Sequence, residues 1–221
     1  MKTFRMTGMA VMAVIMGLGL ASCNKEENPK GNEDFSKEKK LVKMVAKDEN
    51  GGDLEVFTFK YDDKGRLIES TGSFDHGEYA WTNQYAWGDN TIVCDGVEAP
   101  LEDGVIRTPM FAYNSSNRVI LYDDATIVWE GDKIISLSSY IGSNITFTYG
   151  EPCKKGYSPL LPYIMCEYEE LFYAHPELIG ARPKQLPIKI GNISVTYEFD
   201  KEGYITKIYL NQSNPMILTW E

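Results

Sequence analysis

Four aromatic side chains alternate along one stretch of the sequence and are its strongest candidate for a binding surface. The stretch covers residues 78–87, Glu-Tyr-Ala-Trp-Thr-Asn-Gln-Tyr-Ala-Trp, and is rich in residues that favour β-strands. Alternate side chains of a strand point to the same face. The aromatic residues predicted to share one face are Tyr79, Trp81, Tyr85 and Trp87, with Asn83 between them. Such flat π surfaces stack on sugar rings, which makes the row a candidate glycan-binding platform. The alternative is that these side chains form the inner core of a sheet, since each aromatic buries about 150–250 Å².

The other side chains that could do chemistry form no catalytic or metal-binding motif. His76 lies in a predicted turn flanked by acids, and His175 precedes a proline where we expect it to cap a helix end. Two histidines so placed leave little material for a metal site or a Ser-His-Asp triad, so no metal or cofactor is expected. Glycoside hydrolysis needs a pair of carboxylates, and with 32 acids in the chain no particular pair can be singled out. A glycoside hydrolase therefore stays open as an alternative, and a non-catalytic protein is favoured.

The start of the chain has the features of an export signal. Lys2 and Arg5 precede an uncharged stretch over residues 8–21, and these fourteen residues would rise about 21 Å as a helix. That length is short of the roughly 30 Å hydrocarbon core of a membrane, so a signal peptide is favoured over a membrane span. The tetrad at residues 20–23, Leu-Ala-Ser-Cys, resembles the bacterial lipoprotein signal, in which the cysteine is lipidated and becomes the first residue. We therefore expect a signal peptide over residues 1–22 and lipid attachment at Cys23.

A polar segment follows the predicted lipidation site. Residues 23–40 are predicted to form the lipidated Cys and a flexible linker. Lys25, Glu26 and Glu27 resemble the export tag of surface-exposed lipoproteins in some Gram-negative gut bacteria. The expected location is the outer membrane, anchored by acyl chains and facing the cell exterior. The alternative is the periplasmic face, with the same residues serving only as a solvated linker.

The rest of the chain is predicted to be one β-rich domain over residues 41–221. Of the 221 residues 43% are hydrophobic and 12% aromatic, which excludes a disordered chain, and the net charge of −10 argues against a nucleic-acid partner. Turn signals such as Asp62-Asp63-Lys64-Gly65 and Asp200-Lys201-Glu202-Gly203 recur about every 8–12 residues between β-forming runs. The pattern predicts an all-β fold, a strongly curved antiparallel meander or partial β-barrel.

One segment breaks the β pattern. Residues 162–176 are predicted to form a helix that caps the curved sheet, because apolar residues recur there at helical spacing. The members of that apolar face are Ile164, Tyr168, Leu171 and Phe172. Residues 180–187 after it are predicted to be a loop. A disulfide between Cys153 and Cys166 and two free buried thiols are equally compatible with the sequence.

The order of these motifs resembles a known family. The matching features are the run 146–150 (Thr-Phe-Thr-Tyr-Gly), a proline-rich approach to the helix, Leu186-Pro187, the hairpin over residues 195–208 and the earlier hairpin at 61–67. Together they resemble surface lipoproteins of Bacteroides-type gut bacteria that carry a domain of unknown function with a porin-like fold. The resemblance implies a curved antiparallel sheet or partial barrel and no established activity.

Three functions remain open from the sequence. The first is non-catalytic binding of an extracellular ligand such as a glycan, through the aromatic row. The second is a carrier of small apolar ligands or lipid inside a half-open barrel beneath the helix at 162–176, which predicts a cavity of roughly 300 Å³ or more. The third is a structural or adhesin-like module.

Overall fold

The computed structural model describes residues 38–123, 125–138, 144–165, 170–180 and 184–221, which belong to one compact unit. Within these residues the chain forms sixteen strands. The first eight are β1 (Leu41–Lys47), β2 (Asp53–Tyr61), β3 (Leu67–Phe74), β4 (Tyr79–Trp87), β5 (Thr91–Cys94), β6 (Val97–Glu102), β7 (Val105–Ile106) and β8 (Phe111–Tyr113). The second eight are β9 (Val119–Tyr122), β10 (Ala125–Glu130), β11 (Lys133–Ser138), β12 (Asn144–Pro152), β13 (Gln185–Ile190), β14 (Ile193–Phe199), β15 (Ile205–Leu210) and β16 (Met216–Trp220).

All sixteen strands lie in one antiparallel sheet, which confirms the predicted all-β class. Nearly every strand pairs with its neighbours in sequence, and the exception is in the middle of the sheet, where β1 pairs with β16. Residues 44–46 of β1 lie opposite residues 216–218 of β16. Strands β7 and β8 are therefore the two ends of the sheet, and the sheet is not closed between them.

The connection between β7 and β8 shows how strongly this sheet curves. Fifteen steps of about 4.8 Å would place the two end strands about 72 Å apart in a flat sheet. Yet only residues 107–110 join them, and five residue steps of extended chain span at most about 17 Å. The sheet must therefore curl round until its ends almost meet.

Side chains bridge the two ends in place of a strand ladder. The Tyr113 hydroxyl on β8 donates a hydrogen bond to the carbonyl of Ile106 on β7. The guanidinium carbon of Arg107 lies 4.4 Å from the centre of the Tyr113 ring. Among the described residues, side-chain contacts such as these join the two ends where no strand ladder is formed.

The turns between strands reuse one local device. Asp62 accepts the backbone N–H groups of Lys64 and Arg66 on a single carboxylate oxygen, and Gly65 takes a positive φ of 74° that suits glycine. Asp200 closes the β14–β15 turn in the same way. The device explains why a short acid and a glycine recur at strand ends in the sequence.

The interior of the curved sheet contains a short helical segment. The described residues of and around the predicted helix at 162–176 form α1 (Leu160–Met165), α2 (Glu170–Ala174) and a 3₁₀ turn at Pro176–Ile179. All five residues of α2 are buried. The segment packs into the main hydrophobic core together with inward-facing residues from both halves of the sheet. Among the described residues, no helix is long and apolar enough to cross a membrane.

Candidate functional site

The aromatic row lies on β4 and alternates as the sequence predicts. Trp81, Tyr85 and Trp87 face the core and are half-buried or buried, whereas the small and polar residues of the opposite face are exposed. Tyr79, at the start of the strand, is 57% exposed. The structure therefore keeps three of the four aromatics against the interior and leaves one at the surface.

The indole of Trp81 is engaged by a buried carboxylate. Its Nε1 donates to Glu170 of α2 at 2.6 Å, and the amide nitrogen of Asn83 donates to the other carboxylate oxygen at 2.9 Å. Gly72 on β3 lies opposite Trp81, and a β-carbon at Gly72 would overlap the indole ring. The glycine thus makes the space in which the indole lies while it reaches the helix.

Glu170 is the most unusual ionisable group of the interior. Only 1% of its surface is exposed, and burial raises the pKa of its carboxyl, against the lowering effect of the hydrogen bonds from Trp81 and Asn83. Both carboxylate oxygens already accept hydrogen bonds. The group is therefore placed to hold α2 on β4, and it does not face solvent where a substrate could reach it.

His175 joins the end of α2 to the sheet. Its Nε2 accepts a hydrogen bond from the backbone N–H of Leu67 at 3.1 Å, and its Nδ1 lies 2.7 Å from the Glu177 carboxylate, which places the ring proton on Nδ1. The centres of the Trp87 and His175 rings are 5.3 Å apart, and Nε1 of Trp87 donates a hydrogen bond to the Leu67 carbonyl. The expected capping role is wrong, because the imidazole bonds to a β3 amide and to the Glu177 side chain and makes no side-chain capping hydrogen bond to the 3₁₀ turn.

Other contacts join the helical segment to further strands of the sheet. The Tyr163 hydroxyl donates to the Glu55 carboxylate on β2 at 2.7 Å. On the opposite side, the ring of Phe172 packs 5.4 Å from Phe111 on β8. The helical residues therefore pack against side chains of distant strands, in the region where the sequence placed a carrier cavity.

A cleft lies elsewhere, between β13 and β14. The ladder between these strands comprises the pairs Lys189–Ser194 and Ile190–Ile193, next to their connecting turn. Beyond those pairs the strands border a cleft of about 590 Å³. Its apolar wall is formed by Leu186, Ile188, Val195, Tyr197 and Phe199. Its rim is formed by Glu151, Pro152, Lys154 and the β14–β15 turn at 200–203.

A hydrogen bond joins β14 to β13 beside the cleft. The Tyr197 hydroxyl donates to the carbonyl of Pro187 at 2.7 Å, and burial raises the pKa of the phenol, so it stays neutral. The Tyr197 ring lies 6.4 Å from that of Phe199. Ile188 and Phe199 are each 46% exposed, so the wall of the cleft presents apolar surface to solvent.

The sequence missed this cleft because it predicted a loop over residues 180–187. That prediction is wrong for residues 185–187, which begin β13. Pro187 was the available signal: a proline inside a strand removes one ladder hydrogen bond and is confined to edges and irregular pairings. The register between β12 and β13 does shift beside Pro187.

Several sequence predictions lie outside the described residues. Cys23 and the segment Lys25–Glu27 are among them, as is Cys166, so the disulfide is not tested. Cys153 is buried, with its thiol 3.3 Å from the Gly156 carbonyl. In the described part of the chain, no group of three or more His, Cys, Asp or Glu side chains could hold a metal ion.

Comparison with solved structures shows which proteins have a similar architecture. The chain is similar to a porin-like protein from Bacteroides uniformis, with 17% identity, a TM-score of 0.51, and coverage of 82% of this chain and 98% of the other. The fold is porin-like. A porin-like protein from Bacteroides vulgatus also matches, with 13% identity, a TM-score of 0.27, and coverage of 82% and 99%. No family model and no curated protein sequence matches the chain.

The similarity to the porin-like protein from Bacteroides uniformis tests only the predicted fold. It confirms the curved antiparallel architecture that the sequence resemblance implied. In this chain the sheet is open at the β7–β8 seam and its interior is occupied by the helical segment. The candidate site that the geometry favours is therefore the cleft between β13 and β14.

Proposed function

We propose that this protein is a non-catalytic, ligand-binding lipoprotein of the outer membrane, whose ligand lies in the cleft between β13 and β14. The observation that carries the proposal is the size and lining of that cleft. A volume of about 590 Å³ falls within the range of small-molecule sites, about 300–1,000 Å³. A wall of aliphatic and aromatic side chains with polar groups at the rim is typical of such sites.

The aromatic row of β4 is the weaker candidate for the ligand. The indole N–H groups of Trp81 and Trp87 are already donated to Glu170 and to the Leu67 carbonyl. Of the four aromatics, Tyr79 alone is well exposed, and a single ring gives little stacking surface. Glycan binding through this row stays a prediction, and an array of purified glycans tests it.

Ligand binding is tested with a neutral apolar fluorophore, N-phenyl-1-naphthylamine. The protein is purified with Cys23→Ala, which removes the proposed acylation site. We expect saturable fluorescence enhancement, which Ile188→Ser with Phe199→Ser abolishes while far-ultraviolet circular dichroism is unchanged. The matched control is Ile68→Ser with Val128→Ser, which alters exposed apolar residues outside the cleft. Equal binding by the cleft variant and the wild type would refute this site.

The membrane anchor is proposed from the signal at residues 20–23 and the short apolar stretch before it. Cys23→Ala is expected to release the protein from the membrane fraction, because acyl chains contribute about 0.8 kcal/mol per buried methylene. Retention in that fraction would contradict lipidation. Digestion of intact cells with an added protease tests the outward-facing location, since a periplasmic protein would survive it.

A further inference from the structure

The charges around the cleft select among ligand chemistries. We infer that the cleft binds an amphipathic anion, with an apolar chain along the β13–β14 wall and one anionic head group at the Lys154–Lys201 rim. The inference rests on the proposed function, because it names the ligand class of the same site. Lys154 and Lys201 both line the cleft and are both exposed.

Two of the acids near the rim already have partners within the protein. Glu202 forms an ion pair with Lys39 at 3.0 Å. One carboxylate oxygen of Asp200 accepts three backbone N–H groups of its own turn, at 2.8–2.9 Å. The ion pair offsets the charge of Glu202, and the backbone N–H groups hold the Asp200 carboxylate in its own turn. Glu151 also lines the cleft and has no ion pair within the described part of the chain.

The lysines are not compensated in this way. In the described part of the chain, neither Lys154 nor Lys201 forms an ion pair with a carboxylate. The aliphatic part of the Lys155 side chain also lies beside Gly203. The rim therefore offers cationic groups free to meet an anion, in a protein whose overall charge is −10.

The wall of the cleft argues against an extended peptide as the occupant. A peptide strand inserted beside β13 would need a ladder of backbone hydrogen bonds. Pro187 has no N–H to donate, and its carbonyl already accepts the hydroxyl of Tyr197. An aliphatic chain needs no such bonds and gains free energy from the apolar wall alone.

The test compares three probes of equal chain length below their micelle concentrations: dodecanoate, dodecan-1-ol and dodecylammonium. Affinities are measured by isothermal titration calorimetry on the purified protein carrying Cys23→Ala. We expect dodecanoate to bind about tenfold tighter than dodecylammonium, as two partly exposed ion pairs would give. The affinity for dodecanoate, but not for the alcohol, is expected to fall as salt is raised.

Two double variants separate the charges from the wall. Lys154→Ala with Lys201→Ala is expected to weaken dodecanoate about tenfold and leave dodecan-1-ol unchanged. The control pair, Lys43→Ala with Lys64→Ala, makes the same change in net charge on exposed residues that do not line the cleft and is expected to leave all affinities unchanged.

The outcomes distinguish the two levels of the proposal. If dodecanoate and the alcohol bind equally and Ile188→Ser with Phe199→Ser abolishes both, the cleft is a binding site but the inference of an anionic ligand is wrong. If none of the three probes binds, the proposed function itself is wrong. Tighter binding of the ammonium probe, or equal loss of dodecanoate in the control pair, also overturns the inference.

Discussion

Removing the Glu170 carboxylate tests whether it holds the helical segment in the sheet. Glu170→Ala leaves the indole N–H of Trp81 and the amide of Asn83 without their acceptor in a largely buried place. A buried donor that loses its partner costs about 1–3 kcal/mol. Two such donors, partly rescued by water, give an expected loss of about 2–4 kcal/mol in the free energy of unfolding.

Glu170→Gln separates the hydrogen bonds from the charge. A glutamine oxygen can still accept from Trp81, and its amide can donate to Asn83 once the Asn83 amide rotates. We therefore expect this variant to lie within about 1 kcal/mol of the wild type at neutral pH.

The pH dependence has a definite sign. Burial raises the folded-state pKa of Glu170 above its ordinary value of 4.5, so above that pH the folded protein holds a proton that the unfolded chain releases. The contribution of Glu170 to the free energy of unfolding therefore falls as pH rises above 4.5. Glu170→Gln should gain stability relative to the wild type over the same window and match it at lower pH.

Urea denaturation from pH 4 to pH 8, followed by tryptophan fluorescence, measures both effects. The control is Glu198→Gln, which changes an exposed carboxylate paired with Lys207 and should leave the midpoint nearly unchanged. The reasoning is refuted if Glu170→Ala unfolds at the wild-type urea concentration. It is equally refuted if Glu170→Gln is as damaging as Glu170→Ala at every pH.

Three further substitutions test the packing of the interior. Gly72→Val should push the Trp81 indole out of its place, with a loss of about 2 kcal/mol or more in stability and a red shift of tryptophan emission; an unchanged spectrum would contradict this. Gly180→Ala should cost about 1–3 kcal/mol, because Gly180 has a φ of 68° and an added β-carbon would overlap the backbone of the β8–β9 turn; denaturation at the wild-type midpoint would speak against it. His175→Ala removes the acceptor of a β3 amide and should cost about 1–3 kcal/mol, whereas His76→Ala, at an exposed turn, should be close to neutral; equal effects of the two would argue against the buried role.

Local patterns in the sequence predicted local structure well. The alternation over residues 78–87 predicted which side chains of β4 share a face, because a strand has a strict period of two, but not which of the two faces points inward. The short acid followed by glycine predicted the turns at Asp62 and Asp200, because these residues satisfy the turn without help from distant parts of the chain.

Features that depend on distant residues were not predictable in this way. Glu170 lies in an acidic run of the sequence, so its pattern placed it off the apolar face, and its burial follows only from Trp81 and Asn83 on a strand more than eighty residues earlier. The cleft likewise depends on how far β13 and β14 stay paired. Pro187 marked that irregularity, but nothing local to it specifies a cavity.

The pairing of β1 with β16 has a consequence for how the protein is made. These strands are the middle of the sheet, so each half of the chain has an unpaired edge at its centre until residues 216–220 are available. Joining them closes a loop of about 170 residues, which costs only slightly more entropy than a much shorter loop. A chain cut short before β16 would therefore lose its central join and not an outer strand. A molecule without that join exposes two unpaired strand edges, which are templates for pairing with other chains.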